Sequence, residues 1–318
     1  MTLPARKPDW LRVRLPAGAE QEEFRGLKSR FRSRGLHTVC EEARCPNIFE
    51  CWGQGTATVM ILGETCTRGC RFCSVNTGKP GGLVDSDEPE NTALSLAEMG
   101  LAYVVLTMVD RDDLGDGGAE HVAKTVGRIK HHSPELRVET LVGDFQGHHD
   151  DIRTVVQNGR PDVFAHNVEV VPRLQRPIRD ARCSWDRSVG VLVAAKELGA
   201  SITKSSLMVG LGEERDEVLE SMQRLRDADV DVLTIGQYLR PTKRHAPVAR
   251  YVEPAEFADY EQVGLEMGFR FVASGPLVRS SYRAAEVFLK GALAEAAHAE
   301  KAPAMDRYGR KRKLAVLT

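Results

Sequence analysis

Thr58-Val59-Met60-Ile61-Leu62 is followed, after three residues, by Cys66-Thr67-Arg68-Gly69-Cys70-Arg71-Phe72-Cys73. The apolar, β-branched run reads as a short buried strand. The loop that leaves it carries three thiols at CxxxCxxC spacing. Parallel barrels build their sites on the loops at the C-terminal ends of their strands. This junction therefore predicts both the start of a sheet and the place of its chemistry. Gly69 lets backbone approach whatever the thiols hold, and Phe72 shields it from water.

Outward from there the pattern alternates. Tyr103–Thr107, Arg137–Val142, Val163–Ala165, Ser201–Val209 and Val232–Ile235 read as further buried strands, with a last one at Phe269–Ala273. Helical patterns over 91–99, 118–131, 150–157, 186–198, 215–227 and 254–266 separate them. Asp150 or Asp151 is the expected cap of the third helix, and Asn158-Gly159 its end. Alternating strands and helices imply a parallel sheet with right-handed crossovers. Roughly six units are too few for a closed eight-unit barrel, so the expected class is α/β, a partial (β/α)6 barrel of the TIM type. The expected division has three parts: a cysteine-rich N-terminal extension over 1–55, a barrel over 56–273 and a C-terminal segment over 274–318 that closes over the site. An amphipathic helix is expected over 20–34, with Phe24, Leu27 and Phe31 on one face.

Composition excludes some function classes. The net charge of −1 gives no global attraction to nucleic acid or to a membrane surface. Met1 to Arg14 is polar, without the apolar run of a secretory signal. No apolar stretch is long enough to span a bilayer. A cytoplasmic, reducing location follows, where clusters are expected before disulfides.

Six of the seven cysteines form two triplets, Cys66, Cys70, Cys73 and Cys40, Cys45, Cys51. Thiolates are soft ligands for zinc, copper and iron–sulfur clusters. Structural zinc favours paired C-x2-C knuckles, and the first triplet holds a single one, which favours iron–sulfur. Three thiolates hold three irons of a cubane and leave the fourth open. Cys183 stands alone and reads as a structural thiol. His148-His149 reads as loop rather than as a metal pair. Gly210-Leu211-Gly212-Glu213 suits either close backbone approach to a ligand or a plain strand–helix turn. Arg240-Pro-Thr-Lys243-Arg244-His245 and the tail Arg310–Lys313 are locally basic.

A strand running into CxxxCxxC, with an aromatic before the third cysteine, resembles the radical S-adenosylmethionine (SAM) superfamily. The resemblance implies that Cys66, Cys70 and Cys73 hold a 4Fe-4S cluster whose open iron takes SAM. It also implies that Thr107 and Asp110 meet the amino group of SAM, and that Asn167 and Glu169 meet its ribose or methionyl end.

Cys40-Glu-Glu-Ala-Arg-Cys45-Pro-Asn-Ile-Phe-Glu-Cys51-Trp52 is more specific and resembles the lipoyl synthase family. Further motifs match in order: Thr107–Asp113 with Asp116–Glu120, His166–Glu169, Lys204–Met208 with Gly210–Glu213, Gly236–Thr242 and Arg279-Ser280-Ser281-Tyr282. The stretch Gln175–Trp185 and Ser206 depart from the family pattern. The resemblance implies a second, auxiliary 4Fe-4S cluster on Cys40, Cys45 and Cys51, with Ser281 as fourth ligand and Ser280 the alternative. It implies sulfur insertion at C6 and C8 of an octanoyl chain on a carrier lysine, with the auxiliary cluster as sulfur donor. The implied partners are octanoylated carriers (glycine cleavage H protein or the E2 lipoyl domains of 2-oxoacid dehydrogenases), a reductant such as flavodoxin or ferredoxin, and a cluster-repair carrier. Such carriers are typically acidic, so docking at 240–245 is one reading of those cations.

Overall fold

The computed structural model describes residues 7–12, 22, 25, 26, 29, 37, 38, 47, 48 and 56–281. Cys40, Cys45 and Cys51, the tail beyond Ser281 and most of the helix expected over 20–34 lie outside the described residues. In chain order the strands are β1 (His37–Thr38), β2 (Thr56–Ile61), β3 (Thr65–Cys66), β4 (Asn76–Thr77), β5 (Tyr103–Met108), β6 (Arg137–Leu141), β7 (Val163–Ala165), β8 (Thr203–Val209), β9 (Val232–Gln237) and β10 (Phe271–Gly275). The main sheet runs β1-β2-β5-β6-β7-β8-β9-β10. Its strands are parallel from β2 to β10, and only the edge strand β1 is antiparallel. β1 and β10 do not pair with each other, so the barrel stays open.

Helices fill the crossovers: α1 (Glu88–Met99), α2 (Ala119–His132), α3 (His149–Arg153), α4 (Trp185–Glu197), α5 (Arg215–Asp227) and α6 (Pro254–Glu266). The third departs from expectation. His148, not Asp150 or Asp151, is its N-cap residue, and both aspartates sit in its first turn. A π-helical turn, Thr154–Gly159, continues it, and the left-handed residue that ends it is Arg160.

Alternate strand residues point to the two faces of a sheet. Ala57, Val59 and Ile61 of β2, Val104 and Leu106 of β5 and Phe164 of β7 pack in one apolar cluster with α1, α2 and α4. Leu207, Val209, Leu233, Ile235 and Val272 do the same against α5 and α6. These outward residues supply most of the core, leaving the inner face free for polar groups. Lys204 on β8 reaches across β7 to Glu139 on β6, with both contacts at 2.9 Å, and Tyr103 Oη donates to the same carboxylate at 2.9 Å. A side chain spans an intervening strand only where the sheet curves around it. Tyr103 opens its strand and Lys204 is second in its own, so this ion pair closes the floor of the barrel. Its side chains are 2% and 1% exposed for Lys204 and Glu139.

Candidate active site at the C-terminal ends of the strands

The cysteine loop is bracketed by β3 and β4, which pair Thr65 with Asn76 and Cys66 with Thr77. Gly78 N–H closes back on the Cys66 carbonyl at 2.9 Å, and Cys73 N–H on that of Cys70 at 3.1 Å. This brings the three thiols onto one compact loop, and backbone donors are aimed at their sulfurs. Arg68 N–H lies 3.4 Å from Cys66 Sγ and Asp180 N–H 3.3 Å from Cys70 Sγ. Val75 N–H serves Cys73. Such hydrogen bonds stabilise charge on sulfur and tune an iron–sulfur cluster.

As free thiols all three resist ionisation. Burial, with help from the Asp110 carboxylate, pushes Cys66 up to about 11. Burial pushes Cys73 up, with Glu169 and Asp110 adding to it. Cys70 rises because its S–H donates to Cys183 and because it is buried, and Cys183 falls as the acceptor of that bond. A bound cation reverses this logic, because a coordinated thiol is deprotonated. Among the described residues no three His, Cys, Asp or Glu side chains converge tightly enough for one metal ion. Three thiols on one loop, each facing a backbone donor, fit a multi-iron cluster.

The loop is clamped by Arg68, which lies between the cysteines and is only 4% exposed. Its guanidinium meets Asp112 at 2.7 Å, Asp144 at 2.7 Å and Asp110 at 3.5 Å. It also donates to Cys183 Sγ at 3.5 Å. Burial alone would raise Asp144, yet the bond to Arg68 holds it at about 2. Thr67 adds hydroxyl bonds to Asp112 at 2.8 Å and to the Asp110 carbonyl at 2.9 Å. Arg182 covers the outside, bound to Asp180, to Asp112 and to the Thr67 carbonyl.

Asp110 and Glu169, from different strand ends, are brought together beside Cys73. Asp110 is raised to about 6, chiefly by burial and against the pull of Arg68. A Cβ on Gly143 would stand 2.6 Å from Asp110 Oδ1, so the backbone must pass there without a side chain. Glu169 sits at φ 68, a left-handed conformation unusual for a carboxylate residue. It is fixed there by its N–H to Ser206 and its carbonyl from Met208, at 3.1 and 2.8 Å. Burial raises its carboxyl, which accepts from Asn167 at 3.1 Å. Thr107 is half-buried near the end of β5. Beneath them His166 is buried and neutral, lowered to about 4 by burial. Its Nδ1 donates to the Val142 carbonyl at 2.8 Å, leaving Nε2 to accept from Ser188 at 3.0 Å.

The ends of the described chain meet at the same face. Asn47, between Cys45 and Cys51, donates to the Leu277 carbonyl, and Ile48 enters the core. Ser280 and Ser281 are half-buried just beyond. Gly236 permits this approach, because a Cβ there would lie 2.1 Å from the Val278 carbonyl oxygen.

Other expectations resolve simply. Glu213 accepts from Gly210 N–H at 2.6 Å and Leu211 N–H at 2.9 Å, so Gly210–Glu213 is a self-capped strand–helix turn. His148 and His149 turn to Asp151 and Arg153, not to a shared site. Cys183, expected to be a structural thiol, is seated against the cysteine loop. Sequence reasoning missed Arg68, Asp144, Asp180 and Arg182, and it read His245 only as part of a basic stretch, whereas His245 bonds the Cys73 carbonyl at 2.9 Å. Only Arg68 carried a signal, being a cation inside the loop itself.

Comparison with known proteins gives concordant results. The Radical SAM superfamily profile matches residues 60–225, and that of the N-terminal domain of lipoyl synthase matches residues 3–45. The lipoyl synthase of Sorangium cellulosum (strain So ce56) is 59% identical over 299 residues, covering 89% of this chain and 79% of that protein. That of Anaeromyxobacter sp. (strain Fw109-5) is 55% identical, covering 91% of this chain and 97% of that protein. The human mitochondrial lipoyl synthase is 53% identical, covering 91% and 78%. Among solved structures, methylornithine synthase superposes with TM-score 0.53 at 15% identity, covering 79% of this chain and 71% of that one. The FeFe-hydrogenase maturase of Carboxydothermus hydrogenoformans gives TM-score 0.53 at 13% identity, covering 78% and 63%. These two bear on the fold alone.

Proposed function

The chain belongs to the lipoyl synthase family of radical SAM enzymes, and from this we propose how its own residues divide the work. The family's reaction inserts sulfur at C6 and C8 of an octanoyl chain carried on a protein lysine, with two 4Fe-4S clusters and SAM as cofactors. When bound, the cofactors supply the one-electron cleavage of SAM and the sulfur.

Cys66, Cys70 and Cys73 are the residues we assign to the SAM-cleaving cluster. The observation that carries this is their grouping on one loop with backbone N–H groups directed at the sulfurs. Asp110, Asn167 and Glu169, with Thr107 near them, are assigned to SAM. Carboxylates accept several hydrogen bonds, as an ammonium and ribose hydroxyls require. Phe72 and the covering loops exclude water. Cys40, Cys45 and Cys51 are assigned to the auxiliary cluster, the sulfur donor, with Ser281 as fourth ligand and Ser280 the alternative. The bond between Asn47 and Leu277 supports this by joining the two segments. Oxygen is a harder ligand than thiolate, which suits an iron that must be released. The three-part division at 1–55, 56–273 and 274–318 follows these roles.

The finer partners are also proposals: the glycine cleavage H protein or E2 lipoyl domains as carriers, flavodoxin or ferredoxin as reductant, and a carrier that rebuilds the auxiliary cluster. The thiols suit a reducing compartment, here the cytoplasm. No helix among the described residues is long and apolar enough to cross a membrane.

The test is anaerobic incubation with an octanoyl-lysyl peptide, SAM and dithionite. The expected product gains two sulfurs by mass, and the reconstituted chain holds about eight irons. Stoichiometric zinc, or an unchanged peptide beside about eight irons, would refute the assignment.

A further inference from the structure

The outer face of the cysteine loop is held by two other loops. Arg71 N–H donates to the Ile178 carbonyl, and Ala246 N–H to the Arg71 carbonyl, each at 2.8 Å. Arg71 Nη1 reaches the Pro177 carbonyl at 3.0 Å. His245 holds the Cys73 carbonyl, and Arg240 folds residues 243–245 by bonding the carbonyls of Lys243 and His245. Three chain segments far apart in sequence thus form one surface directly over Cys70–Cys73.

That surface carries four exposed cations, Arg71, Arg176, Lys243 and Arg244. Among the described residues none of them is paired with a carboxylate. Elsewhere many exposed arginines are matched by carboxylates, although among the described residues Lys79, Lys124 and Arg160 are not. Arg173 pairs with Glu217, Arg215 with Asp259, Arg224 with Asp186 and Arg250 with Glu256. Two carboxylates that border the loop are already engaged, Asp180 by Arg182 and Asp112 by Arg68 and Arg182. A chain with net charge −1 therefore leaves unneutralised positive charge at the back of its thiol loop.

We propose that this surface docks an acidic, low-potential electron-transfer protein. The inference rests on the functional reading above and names the place of its reductant. Electron transfer through protein is short-ranged, so a donor must sit beside the thiol ligands, and Arg71 is next in sequence to Cys70. The step moves one electron from the partner's reduced flavin or iron–sulfur centre to the cluster on this loop. The partner is oxidised by one electron, and no bond or proton moves. Complementary charge steers such encounters and makes them salt-sensitive. The octanoyl arm has a different requirement, access to the barrel mouth, so the carrier is not the occupant assigned here.

The test uses the holoenzyme with Arg176→Glu, Lys243→Glu and Arg244→Glu combined. These side chains are exposed and lie outside the assigned ligands. An acidic flavodoxin is the probe. At low salt its Kd should rise, and flavodoxin-driven lipoyl formation should fall, by about tenfold or more. The corresponding Gln variants should lie between, and added salt should erase the difference. Dithionite-driven formation on the whole carrier protein should stay unchanged. Unchanged flavodoxin binding would overturn the proposal. So would an equal loss with dithionite, which would make this the carrier's surface. If wild-type enzyme made no lipoyl product with dithionite while flavodoxin binding still fell in the variant, the functional reading would fail and the docking surface would stand.

Discussion

Arg68→Met removes the charge that holds the cysteine loop and keeps much of the side-chain volume. The guanidinium is 2% exposed and Asp144, its partner at 2.7 Å, is 0% exposed. Removing one member of a buried pair costs about 3–5 kcal/mol, because the other charge is left without compensation. The low end is expected here. Asp112 keeps Thr67 and Arg182, and Asp144 keeps the Gln146 N–H at 2.9 Å. At about 2–4 °C per kcal/mol for a large domain, Tm should fall by roughly 6–12 °C. The sign of the pH dependence also follows. Arg68 depresses the folded pKa of Asp144, so the pair's contribution is present above the unfolded carboxylate value and is lost as pH falls toward about 2. The deficit of the variant should therefore be largest near neutrality and shrink on acidification. Thermal unfolding of the cluster-free chain by circular dichroism, at several pH values, measures this. Adding Asp144→Asn should recover part of the loss, since the stranded charge is then gone. A Tm within 2 °C of wild type, a deficit that grows in acid, or strictly additive single losses would each refute the clamp.

The two cysteine triplets should separate by role. Cys66→Ala, Cys70→Ala or Cys73→Ala should abolish both 5′-deoxyadenosine and lipoyl product. Cys40→Ala, Cys45→Ala or Cys51→Ala should abolish lipoyl product yet leave substrate-dependent 5′-deoxyadenosine, and a folded Cys40→Ala chain forming thiolated product at the normal rate would falsify the donor assignment. His166 supplies a pH test of stability. Its folded pKa of about 4 lies below the unfolded value, so its contribution is complete above about 6.5 and is lost as pH falls to 4, on the order of 3 kcal/mol. Denaturant titrations of wild type and His166→Gln at pH 7 and pH 4.5 should differ by about 2 kcal/mol in their acid loss, and identical losses would remove His166 as the cause.

Much of this protein was legible in its sequence. Strand and helix order came from periodicity, because burial on one face imposes a repeat on neighbouring residues. Tyr103–Met108 and Val163–Ala165 fall within a residue of expectation. The thiol loop and its position followed from spacing, because its three cysteines lie within eight residues of chain. The π-helical turn at 154–159, where a plain helix was expected, and the last strand, two residues beyond its expected place, show that periodicity does not encode local unwinding or exact bounds.

What surrounds the thiols was decided only by the tertiary structure. Arg68 bonds Asp112, Asp144 and Cys183, which are 44, 76 and 115 residues away in sequence. Lys204 meets Glu139 across an intervening strand, at a separation of 65 residues. Cys183 looked inert because nothing beside it in the chain announces Cys70. The four cations over the loop come from three segments, none notable alone except the stretch at 240–245. Local pattern records what each strand and loop is made of. Barrel curvature decides which loops meet at its mouth, and it sets charges side by side that the chain keeps far apart.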